Sequence, residues 1–414
     1  VTLDLPAAEC QGCAERGGFL ESLKIKVLDS ATPQEADVAT MKRVYLDHNA
    51  GSPLRREALA ALQSAHGRLA GNPSSPHAEG QAARHALEDA RETVARAAGA
   101  RPEEIVFTSG GTEADNAALR GVVRAARAAG ARTVHVVTSA VEHPAVLETA
   151  RSLRSEGADL TVLPVDGRGV VDPDAVARVL DARGATLVSV MHANNETGVV
   201  QPVGEIAEVC RSRGVTFHTD AVQSAGKLRL DPALGADLVS LGSHKVGGPA
   251  GVGALVVRGG TPFAALLEGG AQEGRRRAGT EPVALAAAFA AAIRAAVEEL
   301  PIAAPRLEAL RATIEDGLAG IDAGRVLHGA GAPRLPNTTH AFLRRAPGRI
   351  LVLQLDRLGF AVSTGSACST GSSRPSHVIA AMGRPGPEAA DSLRVSTGPE
   401  TTAGDVEAFL LALA

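Results

Sequence analysis

Lys245 stands in the string Ser240-Leu-Gly-Ser243-His244-Lys245-Val-Gly-Gly-Pro-Ala-Gly-Val-Gly253, behind an apolar run and among small residues. An amine held there can be desolvated, which lowers its pKa and suits it to Schiff-base formation. The same string would also suit a surface turn with a solvated lysine, so the surrounding motifs have to decide. One of them is Ile105-Val-Phe-Thr-Ser109-Gly110-Gly111-Thr112-Glu113, a strand, a glycine turn and a helix start. Free backbone N–H groups and the positive end of a helix dipole make such a turn an anion site that fits a phosphate. No Gly-Lys-Ser/Thr follows and no G-x-G-x-x-G is present, which argues against a P-loop and against a dinucleotide fold.

His218-Thr-Asp220-Ala-Val-Gln223-Ser ends a further apolar run with an acid and an amide, 25 residues before Lys245. Asp220 could simply cap a helix. It also fits the carboxylate that keeps the pyridine nitrogen of pyridoxal phosphate (PLP) protonated, the condition under which that cofactor acts as an electron sink. Gln223 could then donate to the ring hydroxyl. Taken alone, His143 reads as a packed core residue.

Four cysteines in 414 residues are too few for a disulfide framework. Cys210 falls in the apolar pattern Ile206, Val209, Cys210 and reads as core filler. Cys368 is different: it lies in Ser363-Thr-Gly-Ser-Ala-Cys-Ser-Thr-Gly-Ser-Ser-Arg-Pro-Ser376, a Gly/Ser stretch without apolar periodicity. Such a stretch is expected to be mobile, and a thiolate on it could attack inside a site and then carry a group outward. Cys10 and Cys13 form a C-x-x-C with no second pair to complete a metal site, so no metal is expected.

These residues need a scaffold, and from Glu104 onward strand-like runs alternate with helical patterns. Ile105-Val-Phe precedes a helix from Glu113 to Ala129, Val134–Val137 precedes one from Ala145 to Leu153, and Leu160–Leu163 one from Pro173 to Leu180. Leu187–Met191, Val203–Cys210, Val215–His218, Leu238–Leu241 and Gly253–Val257 continue the rhythm. The expected fold is α/β, a mostly parallel doubly wound sheet with ligands at the strand C-terminal ends, plus a smaller α+β C-terminal domain. Helix Glu281–Leu300 should stop at Pro301-Ile-Ala-Ala-Pro305 before a new helix from Arg306 to Leu318. The expected division is an extension over 1–40, a segment 41–55 joining the small domain, a large domain 56–300 and a small domain 301–414. Residues 1–40 differ in character from the rest, and Met41 reads as a natural start, with Val1 as an upstream non-ATG start.

The formal net charge of -4, one Tyr and no Trp leave neither a basic footprint nor stacking platforms for nucleic acid. No apolar run approaches the ~18 residues of a spanning helix, since Arg294 interrupts Ala286–Ala296. The N-terminus lacks the pattern of a signal peptide, so no membrane partner and a cytoplasmic location are expected.

The ordered strings Tyr45-Leu-Asp, Gly71-Asn-Pro-Ser-Ser-Pro-His77, Thr108-Ser-Gly-Gly-Thr-Glu113, Glu142-His143, Asn194-Asn-Glu-Thr-Gly198, Thr219-Asp-Ala-Val-Gln223, Gly242-Ser-His-Lys245, Arg277-Ala-Gly-Thr280, Gly365-Ser-Ala-Cys368 and Arg394-Val-Ser resemble the class V aminotransferase-type PLP enzymes of fold type I. Within them the chain is similar to the cysteine desulfurases, from Val44 to about Phe409. The resemblance implies that L-cysteine becomes L-alanine while its sulfur passes to Cys368 as a persulfide, for acceptors such as an iron-sulfur scaffold protein. It implies that Lys245 holds PLP, Asp220 pairs with the ring nitrogen, Gln223 contacts the ring oxygen, and His143 stacks on the ring and assists proton transfer. Gly111, Thr112, Ser243 and His244 are implied at the phosphate, with Thr280 reaching the phosphate of the other subunit of a homodimer. Arg394, with Asn72 and Asn195, is implied at the substrate carboxylate, where an arginine fork grips in bidentate fashion. Cys368 could also ligate a transferred iron-sulfur cluster.

Two stretches depart from the family pattern. His48-Asn-Ala-Gly-Ser-Pro53 replaces a run of Ala and Thr, and Pro399 replaces a frequent arginine. Neither is expected to touch a mechanistic residue. Alternatives on the same scaffold are selenocysteine cleavage, another PLP lyase or aminotransfer, and, outside catalysis, a sulfur-carrier partner.

Overall fold

The computed structural model describes residues 43–230, 234–365 and 375–414. After strand β1 (Val44–Tyr45) come helices α1 (Arg56–Arg68) and α2 (Ala78–Ala97). The β/α alternation then runs β2 (Ile105–Thr108), α3 (Gly111–Ala128), β3 (His135–Ser139), α4 (Pro144–Ser155), β4 (Asp159–Leu163), α5 (Pro173–Arg183), β5 (Leu187–Ser189), α6 (Val203–Arg211) and β6 (Thr216–Asp220). Strands β7 (Leu238–Gly242) and β8 (Gly253–Val257) follow, and then the long helix α7 (Val283–Ile321). The last part holds β9 (Val326–Leu327), β10 (Thr338–Phe342), α8 (Gly348–Arg357), β11 (Phe360–Ala361), α9 (His377–Ala381), α10 (Pro387–Asp391), β12 (Leu393–Ser396) and α11 (Ala403–Leu413).

Seven strands form one sheet in the order β2-β8-β7-β6-β5-β3-β4. All neighbours are parallel except β8, which runs antiparallel to β2 and β7. Side chains alternate across a strand, so adjacent residues feed opposite cores. Val137, Val188, Val239 and Val256 join the cluster beneath α2, α6 and the start of α7, whereas Val136, Leu187, Leu238 and Leu255 join the one beneath α3 and α4. This is why the strands read as continuous apolar runs. β6 runs past His218 to Asp220, since its polar side chains find buried partners there.

A third core gathers Leu310, Ile314, Leu355, Phe360, Val395 and Phe409 around the β12-β10-β9 sheet. Val44 and Leu46 belong to it, and β1 pairs in parallel with β11. One expectation is corrected here: Pro301 and Pro305 do not break the chain into two helices but lie inside the 39-residue α7. Both prolines are on its exposed side, where water can satisfy the carbonyls they leave without donors. No helix among the described residues is long and apolar enough to cross a membrane.

Candidate active site

A cavity of about 540 Å³ opens at the C-terminal ends of the parallel strands. Gly111, Thr112, His143, Asn195, Asp220, Gln223, His244, Lys245 and Arg394 all line it. They come from stretches more than 280 residues apart in sequence, and the fold supplies each in a recognisable way.

The turn after β2 is built by Gly110, whose φ of 153° few side chains tolerate, and by Gly111, where a Cβ would fall 2.7 Å from Val222 Cγ2. The helix α3 can therefore start against the Val222 turn that follows Asp220, and Gly111 and Thr112 line the cavity. Glu113 accepts from Ser109 N at 2.8 Å and from Arg277 Nε at 2.9 Å, which ties the Arg277–Thr280 string to this turn.

Asp220 ends β6 and accepts the Val222 N–H at 2.8 Å. Burial raises its pKa to about 6, against the opposing pull of that N–H and of the Lys245 charge. Lys245 lies in a single 3-10 turn after β7, and its Nζ donates to Asn49 O at 2.7 Å and Ala50 O at 2.8 Å. His143 caps α4: its Nδ1 accepts from Ala145 N at 3.1 Å, which leaves the ring proton on Nε2. Burial, reinforced by Lys245, His377 and His244, lowers its pKa to about 4, so it is neutral at physiological pH. His244 is lowered to about 4 by burial and by Lys245 and Lys227.

Arg394, on β12, is only 1% exposed. Its Nη1 donates to Asn195 O and Gly365 O at 3.0 and 3.1 Å, its Nη2 donates to Asp47 Oδ1 at 2.6 Å, and its Nε is buried with no partner among the described residues. Ser243 Oγ is likewise buried without a partner among the described residues, and Ser243 does not line the cavity. Asn72 and Thr280 are exposed and do not line this cavity; the Asn72 Oδ1 accepts the Ser74 N–H instead. Cys368, Cys10 and Cys13 lie outside the described residues. Cys210 is fully buried, and burial pushes its thiol up to about 12, which makes it inert.

The His48–Pro53 stretch does not stay clear of the site as expected. Asn49 lines the cavity, and its carbonyl accepts from Gln223 Nε2 at 2.9 Å as well as from Lys245. Asp47, Asn49 and Lys227, which carried no role in the sequence reading, all contact predicted site residues. Their only sequence signal was polarity: two polar residues just after the apolar Val44–Leu46, and a lysine four residues after Gln223.

The chain matches the family described as aminotransferase class-V over residues 44–409. It is 42% identical over 372 residues to cysteine desulfurase IscS of Dictyoglomus turgidum, covering 88% of this chain and 92% of that protein. It is 43% identical over 371 residues to the IscS-like cysteine desulfurase of Mycobacterium tuberculosis, covering 88% and 94%. Among solved structures, a NifS-like protein superposes with a TM-score of 0.83 at 35% identity, covering 90% of this chain and 98% of that one. A structure described as SspA in complex with cysteine gives a TM-score of 0.75 at 32% identity, covering 86% and 99%.

Proposed function

The chain belongs to the class V aminotransferase family and is a PLP-dependent cysteine desulfurase within it, and from that premise we propose which residues carry the reaction. The observation that carries the assignment is that Lys245, Asp220, His143 and Arg394 line a single cavity.

The residues fit the cofactor. Asp220 is a buried carboxylate on the cavity wall, Gly111 and Thr112 at the start of α3 line the same cavity, and Ser243 Oγ, in the turn that carries His244 and Lys245, is buried with no partner among the described residues. When bound, PLP supplies an aldehyde that captures amines and a cationic ring that takes up the electrons left by a departing Cα proton. Gly111, Thr112, Ser243 and His244 would hold its phosphate, with Thr280 serving the other subunit of a homodimer. Lys245 would hold the aldehyde and afterwards move the Cα proton at its Nζ. Asp220 would keep the ring nitrogen protonated, and a cation there would hold Asp220 ionised in turn. Gln223 would offer an N–H to the ring oxygen. His143, with its proton on Nε2, would stack on the ring and supply a proton or hydrogen bond nearby.

Arg394 would grip the substrate carboxylate through its remaining donors, with Asn195, which lines the same cavity, beside it, whereas Asn72 is not brought to this cavity. Cys368 would take the substrate sulfur as a persulfide and pass it to an acceptor such as an iron-sulfur scaffold protein. In this division the small domain, 301–414 with the 41–55 segment, contributes Arg394 and Cys368, while the large domain, 56–300, contributes the remaining cofactor and substrate residues. The test is to incubate the purified, PLP-loaded protein with L-cysteine and a thiol reductant. Alanine and sulfide should appear in equal amounts; pyruvate in place of alanine would overturn the reading.

A further inference from the structure

Lys227 is a buried lysine, 8% exposed, whose Nζ donates to Gln223 Oε1 at 3.0 Å and to Asn49 Oδ1 at 3.3 Å. The chain can return it to Gln223 because Gly226 sits at φ 70°, in the left-handed region, where a Cβ would also lie 2.8 Å from Ala296 Cβ. Asn49 is fixed from the other side, by Asn337 Nδ2 on its Oδ1 at 3.2 Å and by donation of its own Nδ2 to Thr338 Oγ1 at 2.9 Å. The Lys227 amine thus faces two amide oxygens, one from the turn after β6 and one from the segment after β1.

We propose that Lys227 is a positioning residue that fixes which end of the Gln223 amide is presented to the cofactor ring. An amide carries a donor and an acceptor of nearly identical shape, so its surroundings decide which way it points. Lys227 supplies two N–H donors in either protonation state, and two oxygens take them. With Oε1 so engaged, Nε2 is the end left to face Asn49 O and the cavity. Gln223 is thereby locked as a donor, the polarity that stabilises an anionic ring oxygen. Without Lys227 the amide could turn over and set its own oxygen against that anion.

The proposal rests on the Gln223 contact given above, and the test separates the two. The readout is the midpoint of the pH titration of the visible cofactor absorption in the unreacted holoenzyme, measured in a double-mutant cycle. Gln223→Leu should raise the midpoint by about one pH unit, the scale of one hydrogen bond to a charged group. Lys227→Met should raise it by a similar amount, and the double variant by no more than Gln223→Leu alone. A Lys227→Met shift that adds in full on top of Gln223→Leu would mean that the lysine acts as a bare charge, and the proposal fails. An absent Lys227→Met shift overturns it as well. An unshifted Gln223→Leu overturns the Gln223 contact itself and the proposal with it. Lys227→Gln keeps an N–H donor and drops the charge, which covers the case in which the methionine variant does not fold. It should titrate as the wild type does, and a shift of about one unit there would sink the proposal.

Discussion

Arg394 Nη2 donates to Asp47 Oδ1 at 2.6 Å, so a guanidinium on the last strand is held by a carboxylate that follows the first. The pair joins residues 347 apart in sequence, and the arginine is almost wholly buried. Removing one partner of such a pair leaves an uncompensated buried charge and costs about 3 kcal/mol or more. Asp47→Ala should therefore unfold at lower denaturant and raise the KM for cysteine roughly tenfold, with PLP affinity little changed. An unaltered KM in the folded variant would show that Asp47 does not set the grip of Arg394, which Asn195 O and Gly365 O also hold.

Lys245→Ala should lose covalent cofactor attachment. Borohydride treatment followed by mass measurement should fix PLP to the wild type and not to the variant. A labelled variant would place the Schiff base on another amine.

Cys368→Ala leaves Lys245, Asp220 and Arg394 intact, so the variant should bind PLP and still change its spectrum when cysteine is added. Alanine formation should fall by about three powers of ten, roughly 4 kcal/mol, because the thiolate makes the new bond to sulfur. Turnover at the wild-type rate would show that sulfur leaves by plain elimination.

Glu142 is fully buried beside the site. Its Oε1 accepts from Ser139 Oγ at 2.5 Å and from Met191 N at 2.9 Å, while Oε2 has no partner among the described residues. Burial raises its pKa to about 8 despite those two donors, and the nearby Asp220 charge adds to the rise. Between its ordinary value of 4.5 and about 8 the folded chain keeps a proton that the unfolded chain releases. Stability from this group is therefore present at low pH and lost as pH rises through that window. Glu142→Gln should gain stability relative to the wild type as pH is raised from about 5 to about 8, read from paired denaturation curves. Parallel curves would show that Glu142 is ionised throughout.

The residues legible in the sequence are those at strand ends, such as Asp220 at the end of β6 and Lys245 after β7, because apolar runs announce the strands and doubly wound sheets place ligands at their termini. Asp47 and Asn49 escaped because they precede the alternating units and reach the site only through pairing with β11 and β12. Nothing local records that pairing. Lys227 escaped because a lysine in a turn ordinarily points to solvent, and only the packing of Gly226 against Ala296 turns it inward. Pro301 and Pro305 misled because a proline forbids a hydrogen bond, not a helix, when the bereft carbonyls face water.

That uninterrupted α7 has a mechanical consequence. At about 1.5 Å per residue it is a strut roughly 58 Å long. Phe289 and Ile293 anchor one end in the large sheet's core, and Leu310 and Ile314 anchor the other in the small one. Melting either core would strip the packing from half of a single rigid rod, so the two should unfold in one cooperative transition. A polypeptide cut near residue 301 should yield two pieces that each lack half of their scaffold.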